Sequence, residues 1–405
     1  GEGQSFYEIP EVILAIFNDP SEAKIVKSSQ SLDVEELEGE GLLGQDDKSI
    51  MMQFDMEAFT NPEVIDNSIT YIAKNGMFTN EFTNDFKLVN IWLLRAFKGL
   101  GAVSSLLHPS LDGVAIQRAN VYTYRNDSYS LSTAQAYQTG DYADQQAVSQ
   151  AVLTNYLSVF TSQPAKIPRR SGTPTYWVGN GRNPYSVQEK NVNISLYIPP
   201  TKVGFMEPMI VEKTTHAFFP VQLFDQVDES HLDEGYVFGE ADGTFIALIA
   251  RHPLAFRSFA ESSVAGDTDD MLKRGSAGSV LTDKYDLVQY GDGTHYWVTE
   301  LSNDNVENFD AFVARVLANT IDFQSASNTL TYETVLDGNV SSSVLEAVYG
   351  VSFSVNGTIQ DLDYQRHESA YVENGLTARK ASEIVFSFGG HTLRLDYCGK
   401  IREEA

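Results

Sequence analysis

Apolar positions in the first hundred residues recur at helical spacing. SFYEIPEVILAIFND and SLDVEELEGEGLLG read as short helices closed by polar or glycine breaks. In QDDKSIMMQFDMEAFTNP, Met52, Met56 and Phe59 fall at i, i+4 and i+7, with acids at the start and Pro62 beyond the end. The methionines fit the role of core filler. NPEVIDNSITYIAKNGMF and NDFKLVNIWLLRAFKGLGAVSSLL continue the pattern. Residues 1–107 are therefore expected to be a helical domain, or the end of a larger helical layer.

From about residue 113 the period changes to two. Turn dipeptides flanked by alternating apolar residues recur. Asp242-Gly243 separates YVFGEA from TFIALIA, and Asp292-Gly293 separates YDLVQY from THYWVTEL. Asn356-Gly357 separates VSFSV from TIQDLDY, and Gly389-Gly390 separates EIVFSF from HTLRLDY. Four hairpins predict a large antiparallel β-sandwich over residues 108–405, divisible near residues 325–335. One helix interrupts it, with Phe309, Phe312, Val313, Val316 and Leu317 on one face. The expected fold class is α+β, a helical segment followed by the sandwich. Residues 162–174 and 261–280 read as surface loops.

Composition narrows the function. The net charge is −27, which repels phosphate backbones, so no nucleic-acid partner is expected. No run approaches the roughly 18 apolar residues of a membrane span. With one cysteine, Cys398, no intrachain disulfide can form and the fold rests on its core. The acidic balance suits a secreted or cell-surface protein. GEGQSFYEIP lacks the basic start and apolar centre of a signal peptide, and Gly stands at position 1, so the start reads as processed or truncated.

The segment QRANVYTYRNDSYSLSTAQAYQTGDYADQQ, residues 117–146, is rich in tyrosine and amide groups and nearly free of large aliphatics. A two-residue turn at Asn126-Asp127 would pair Tyr124 with Tyr129, Tyr122 with Leu131 and Asn120 with Thr133. One face then carries Arg118, Asn120, Tyr122, Tyr124, Tyr129, Thr133 and Gln135, and the other carries small residues. The first face suits a carbohydrate, because phenol rings lie on sugar faces, amides bond hydroxyls and arginine forks onto carboxylates. It equally fits an ordinary solvated sheet face, where tyrosine and threonine suit strands. Arg125 lies beside the turn. Further along, Gln146, Trp177, Asn180 and Arg182 are candidate binding groups in polar or glycine-rich stretches, and His216 stands before a turn proline in TTHAFFP. Gly179 and Gly181 do not form a phosphate loop. The remaining histidines are scattered, there is no H-E-x-x-H, and no metal site is assigned. No cofactor is predicted, with a divalent cation left open.

IQRANVYTYRNDSYSLSTAQAY, YWVGNGRNP…VQEKNVNISLY and THAFFP resemble motifs of large secreted bacterial proteins similar to the heparinase II/III-like polysaccharide lyases. The resemblance runs from about residue 40 to the end. It implies a helical α/α toroid followed by a β-sandwich, with GQDDKSIMMQFDMEAFTNPEVI as the toroid's end. It also implies a carbohydrate-active protein that binds or cleaves an acidic, uronate-containing polysaccharide by β-elimination. In that chemistry a base removes the proton next to the carboxylate, an acid protonates the leaving oxygen, and donors neutralise the carboxylate. Tyr122, Tyr124 and His216 are the catalytic candidates, with Arg118 or Arg125 as the cation that would lower a tyrosine from its ordinary pKa of about 10. Arg118, Asn120, Arg125, Tyr129, Gln146, Trp177, Asn180 and Arg182 would bind the sugar. Two departures stand out. The group has a histidine and an aromatic after the Gln pair where this chain has Ala147 and Val148, and a THP where it has Ser162-Gln163-Pro164. Both favour the alternative of a non-catalytic carbohydrate-binding or structural surface protein. A glycosidase, which needs two opposed carboxylates, is less favoured, since no spacing singles out a pair. A missing N-terminal segment or a homo-oligomer would cover the helical layer's apolar face.

Overall fold

The computed structural model describes residues 8–19, 23–31, 36, 39, 74, 118–140, 147–153, 157–164, 181–199, 214–257, 284–337, 339–399 and 401–404. These form a β-sandwich-like assembly of open antiparallel sheets. A ten-stranded wide sheet runs in the order β12 (Leu254–Arg257), β13 (Asp286–Gln289), β8 (Thr215–Phe218), β5 (Ser158–Ser162), β4 (Ser149–Leu153), β3 (Tyr129–Ala134), β2 (Ala119–Arg125), β1 (Lys24–Gln30), β20 (His367–Glu368), β21 (Leu376–Thr377). A six-stranded sheet runs β6 (Tyr185–Glu189), β7 (Val192–Tyr197), β14 (His295–Asn303), β11 (Thr244–Ala250), β10 (Tyr236–Ala241), β9 (Gln226–Asp228). A five-stranded sheet follows chain order through β15 (Thr320–Gln324), β16 (Thr329–Thr334), β17 (Ser343–Val348), β18 (Ser352–Val355) and β19 (Thr358–Ile359). A small sheet holds β22 (Glu383–Phe388), β23 (His391–Asp396) and β24 (Ile401–Glu404).

The six-stranded sheet lies in the middle, because its side chains feed two separate cores. Along β11, Ile246 and Leu248 meet Tyr122, Leu131, Val159, Ala217 and Leu287 of the wide sheet, together with Trp297. The alternate residues Phe245, Ala247 and Ile249 meet Leu330, Tyr332, Leu345 and Phe353 of the five-stranded sheet. Period-two alternation sends neighbours to opposite faces, and here both faces are dry, so β7, β11 and β14 are buried throughout. This is why TFIALIA reads as an unbroken apolar run although its sheet is antiparallel. Helix α2 (Phe309–Ala318) closes the second core with Phe309, Phe312 and Val316, and its Asn308 caps the first turn by accepting the Ala311 N–H at 2.9 Å.

The expectation of an α+β fold is overturned. Among the described residues there are two short α-helices, α1 (Glu11–Phe17) and α2, and no helical toroid. The helices expected over residues 31–107 lie outside the described residues, apart from the isolated positions 36, 39 and 74. Residues 24–30, inside the segment expected to be helical, form β1 and pair along their whole length with β2, from Lys24 opposite Arg125 to Gln30 opposite Ala119. KIVKSSQ has no apolar residue at i+3 or i+4 from Ile25 or Val26, and those two β-branched residues suit a pleated surface.

Three of the four turn dipeptides do join paired strands. At Asp242-Gly243 both residues take positive φ, 50° and 72°, as the turn between β10 and β11 requires. Asn356-Gly357 and Gly389-Gly390 do the same for β18–β19 and β22–β23. Asp292-Gly293 does not, because it lies in a longer connection that carries the chain from β13 in the wide sheet to β14 in the middle sheet. That connection is held by its own contacts, with Arg251 donating to the Thr294 carbonyl at 2.6 Å and His295 to the Gly291 carbonyl at 3.0 Å. Residues 325–328 form the turn of the β15–β16 hairpin. Among the described residues no helix is long and apolar enough to cross a membrane.

Candidate functional site on the outer face of the wide sheet

Strands β5, β8, β13 and β12 are neighbours, and their register sets which side chains share a face. Ser162 lies opposite His216, Phe218 opposite Asp286, and Asp286 opposite Arg257. The inward residues of these strands, Val159, Ala217 and Leu287, belong to the first core. Alternation therefore puts Ser162, His216, Asp286 and Arg257 together on the outer face. There the Ser162 hydroxyl lies 2.8 Å from His216 Nε2, and His216 Nδ1 lies 2.9 Å from Asp286 Oδ1. The second carboxylate oxygen faces Arg257 Nε at 3.7 Å. The carboxylate at Nδ1 assigns the ring proton to that nitrogen, which leaves Nε2 to accept from the serine hydroxyl. His216 and Asp286 are both 0% exposed, whereas Ser162 is partly exposed, so the chain of hydrogen bonds ends at its most accessible member.

The strand that carries His216 is pinned from behind. Thr215, its neighbour on the inner face, accepts the Trp297 indole N–H at 2.8 Å and lies 2.9 Å from His295 Nδ1. His295 Nε2 donates to a carbonyl, so its Nδ1 accepts from Thr215 and the ring is neutral. Burial first, with nearby positive charge from His252 and Arg251, brings the His295 pKa down to about 4.

The tyrosine face lies elsewhere. β2 and β3 pair with Arg125 opposite Ser130 and Tyr122 opposite Thr133, two residues on from the expected register. The connection is Asn126, Asp127 and Ser128, and Asn126 Oδ1 accepts the N–H groups of Ser128 and Tyr129 at 3.0 and 2.8 Å, which moves the turn one residue along the chain. A shift of two keeps every side chain on its expected face. That face, however, points into the first core and not to solvent. Tyr122, Tyr124 and Tyr129 are buried, with their rings in the apolar cluster and their hydroxyls on internal partners. Tyr124 and Tyr129 donate to Asp337, the latter at 3.2 Å, and Tyr122 accepts the Lys190 N–H at 3.1 Å. Burial, then the charge of Glu189, raises the Tyr122 pKa far above the ordinary range. Burial, then the hydrogen bond to Asp337, does the same for Tyr124.

The other predicted binding residues are spread over structural contacts. Arg118 pairs with Glu36 at 2.7 Å and with Asp363 at 3.3 Å. Asn120 accepts the Tyr364 N–H at 3.0 Å. Arg125 donates to the carbonyls of Ile16 and Phe17, at 2.9 and 3.0 Å, and so closes the C-terminal end of α1. Arg182 donates to the Gly140 carbonyl at 3.2 Å, and its own N–H goes to Gln163 Oε1 at 2.9 Å. Gln146, Trp177 and Asn180 lie outside the described residues. Of the predicted set, His216 alone stands in the Ser162–His216–Asp286 cluster. Sequence reading missed Ser162, Asp286 and Arg257, because only strand register joins residues 54 and 70 positions from His216. Among the described residues no group of three or more His, Cys, Asp or Glu is placed to hold a metal. No protein-family model, curated protein or solved structure matches the chain.

Proposed function

We propose that this chain is a carbohydrate-active protein that binds or cleaves an acidic, uronate-containing polysaccharide, with its chemistry at His216 and not at the hairpin tyrosines. The observation that carries the reading is the placement of His216 between Asp286 and Ser162 on the outer face. An imidazole whose Nδ1–H is held by a carboxylate presents Nε2 as a proton acceptor. In β-elimination that nitrogen takes the proton beside the uronate carboxylate, the bond from C4 to the leaving oxygen breaks as the double bond forms, and the leaving oxygen takes a proton from water. The carbohydrate class rests on the resemblance of THAFFP and its companion motifs to heparinase II/III-like proteins. Tyr122, Tyr124 and Tyr129 are turned into the first core and are too weakly acidic for the role of base.

A second reading, a non-catalytic carbohydrate-binding or structural surface protein, is favoured by two observations. The aromatic face of the hairpin is spent on the core, and His216 is itself fully buried. The test is absorbance of unsaturated uronates with the chain incubated against acidic polysaccharides. Product that disappears in His216→Gln and persists in Tyr124→Phe supports the first reading. A flat trace from folded wild-type chain that still retains polysaccharide on a column supports the second.

A further inference from the structure

We propose that Ser162 is a nucleophile for acyl transfer, so that the outer face holds an esterase site in addition to the base that β-elimination would use. β-Elimination gives Ser162 no bond to make, yet its hydroxyl sits 2.8 Å from the acceptor nitrogen of a histidine whose other nitrogen is 2.9 Å from a buried carboxylate. That order of groups, hydroxyl to Nε2 and Nδ1–H to carboxylate, is the arrangement that activates a serine. The three residues stand on adjacent strands of one sheet, so backbone pairing fixes their spacing. Exposure falls in the direction the chemistry needs, with the nucleophile partly exposed and the relay behind it dry. Arg257, at 3.7 Å from the far oxygen of Asp286, helps to orient that carboxylate, and both act as positioning residues.

The step balances on the groups present. Ser162 Oγ attacks the ester carbonyl carbon, and its proton passes to His216 Nε2. The alkoxide leaves with that proton as an alcohol, forming an acyl-serine. Water, deprotonated by the same nitrogen, then releases the carboxylic acid and restores the serine. The substrate class is an ester-substituted acidic polysaccharide, an assignment that rests on the carbohydrate reading above, whereas the nucleophile does not.

The experiment uses the whole chain and a fluorophosphonate, which modifies activated serines without regard to the rest of a substrate. The expected result is one phosphonate adduct, mapped to the peptide containing Ser162, absent in Ser162→Ala and slowed at least about 100-fold in His216→Gln. Asp286→Asn is expected to shift the pH profile of labelling as well as its rate. Circular dichroism of each variant separates lost chemistry from lost fold, and Ser162→Cys, which keeps the shape, should gain labelling by iodoacetamide. An unlabelled but folded wild-type chain, or label that survives Ser162→Ala, overturns the proposal. Acetate release from an acetylated uronate polysaccharide supports the substrate class. Hydrolysis confined to p-nitrophenyl acetate overturns that class and leaves the nucleophile standing. Neither arm depends on unsaturated product, so a failed lyase assay and a failed labelling are separate results.

Discussion

On the inner face of the wide sheet, Tyr124 and Tyr129 give their hydroxyl protons to the carboxylate of Asp337; on its outer face, His216 gives its Nδ1–H to the carboxylate of Asp286. Both faces pair a polar ring with an acid, half-buried at Asp337 and fully buried at Asp286, and they differ in what the acid is attached to. Asp337 follows β16 of the five-stranded sheet, and its N–H and carbonyl are taken by Asn191 and by the Lys190 ammonium next to β7. The inner bond therefore ties three layers together. Asp286 belongs to the same sheet as its histidine, and its relay runs sideways along three strands to a partly exposed serine. A polar link between layers serves stability, because a gap opens when it is cut. A link within one sheet ends here at an accessible hydroxyl, whose removal opens no gap between layers.

The sharpest way to break this contrast is truncation. Tyr129→Ala is expected to cost about 3–5 kcal/mol, read by urea unfolding, since it opens a cavity and removes a donor from Asp337. A cost below about 1 kcal/mol would mean that the inner face is not a packed core.

Acid should strike the inner face next. His295 has a folded pKa near 4, whereas the unfolded chain binds that proton near the ordinary value of about 6.5. Between these values the unfolded state holds more protons, so stability is fully present above the upper value and is lost as the pH falls towards the lower one. The expected loss is up to about 3 kcal/mol. His252 and His367, also shifted down mainly by burial, add the same sign, so His295→Gln should remove the largest share of the slope and not all of it. A urea midpoint independent of pH across this range in the wild-type chain would refute the neutral, Thr215-bonded ring.

Asp337→Asn keeps the shape and an acceptor while removing the charge, and is expected to cost about 1–2 kcal/mol, measured the same way. A loss as large as that of Tyr129→Ala would place the energy in the charge and not in the rings. The smallest effect is reserved for the outer face. Ser162→Ala should change the unfolding free energy by less than about 1 kcal/mol, since the removed hydroxyl is only partly buried. A drop of several kcal/mol would make Ser162 a structural strut.

The sequence carried the strands better than the sites. Asp242-Gly243, Asn356-Gly357 and Gly389-Gly390 could be read because positive φ in adjacent turn residues has a chemical signature. Asp292-Gly293 has the same signature and a different use, because turn chemistry fixes a local bend and not the sheet to which the next strand belongs. The two faces of the β2–β3 hairpin were likewise assigned correctly, since alternation survives a register shift of two. Which face meets solvent was not legible, because a tyrosine reads alike as a sugar platform and as a core ring with a half-buried acceptor 208 residues away. His216 was visible as an isolated histidine before a turn. Its partners were not, since nothing in a one-dimensional pattern marks residues that meet only through β5–β8 and β8–β13 pairing. The helical expectation failed over KIVKSSQ, where two adjacent β-branched residues were read into a helical neighbourhood that β1 does not share.

The middle sheet, dry on both sides, makes the sandwich indivisible. A fragment that stops before β15 would strip the cover from Phe245, Ile249 and Val298, and one that starts after β5 would bare Ile246, Leu248 and Trp297. Either cut leaves a hydrophobic slab in water, so such pieces should precipitate and not behave as modules, and shuffling or trimming this region must treat the two flanking layers and the slab between them as one inherited unit.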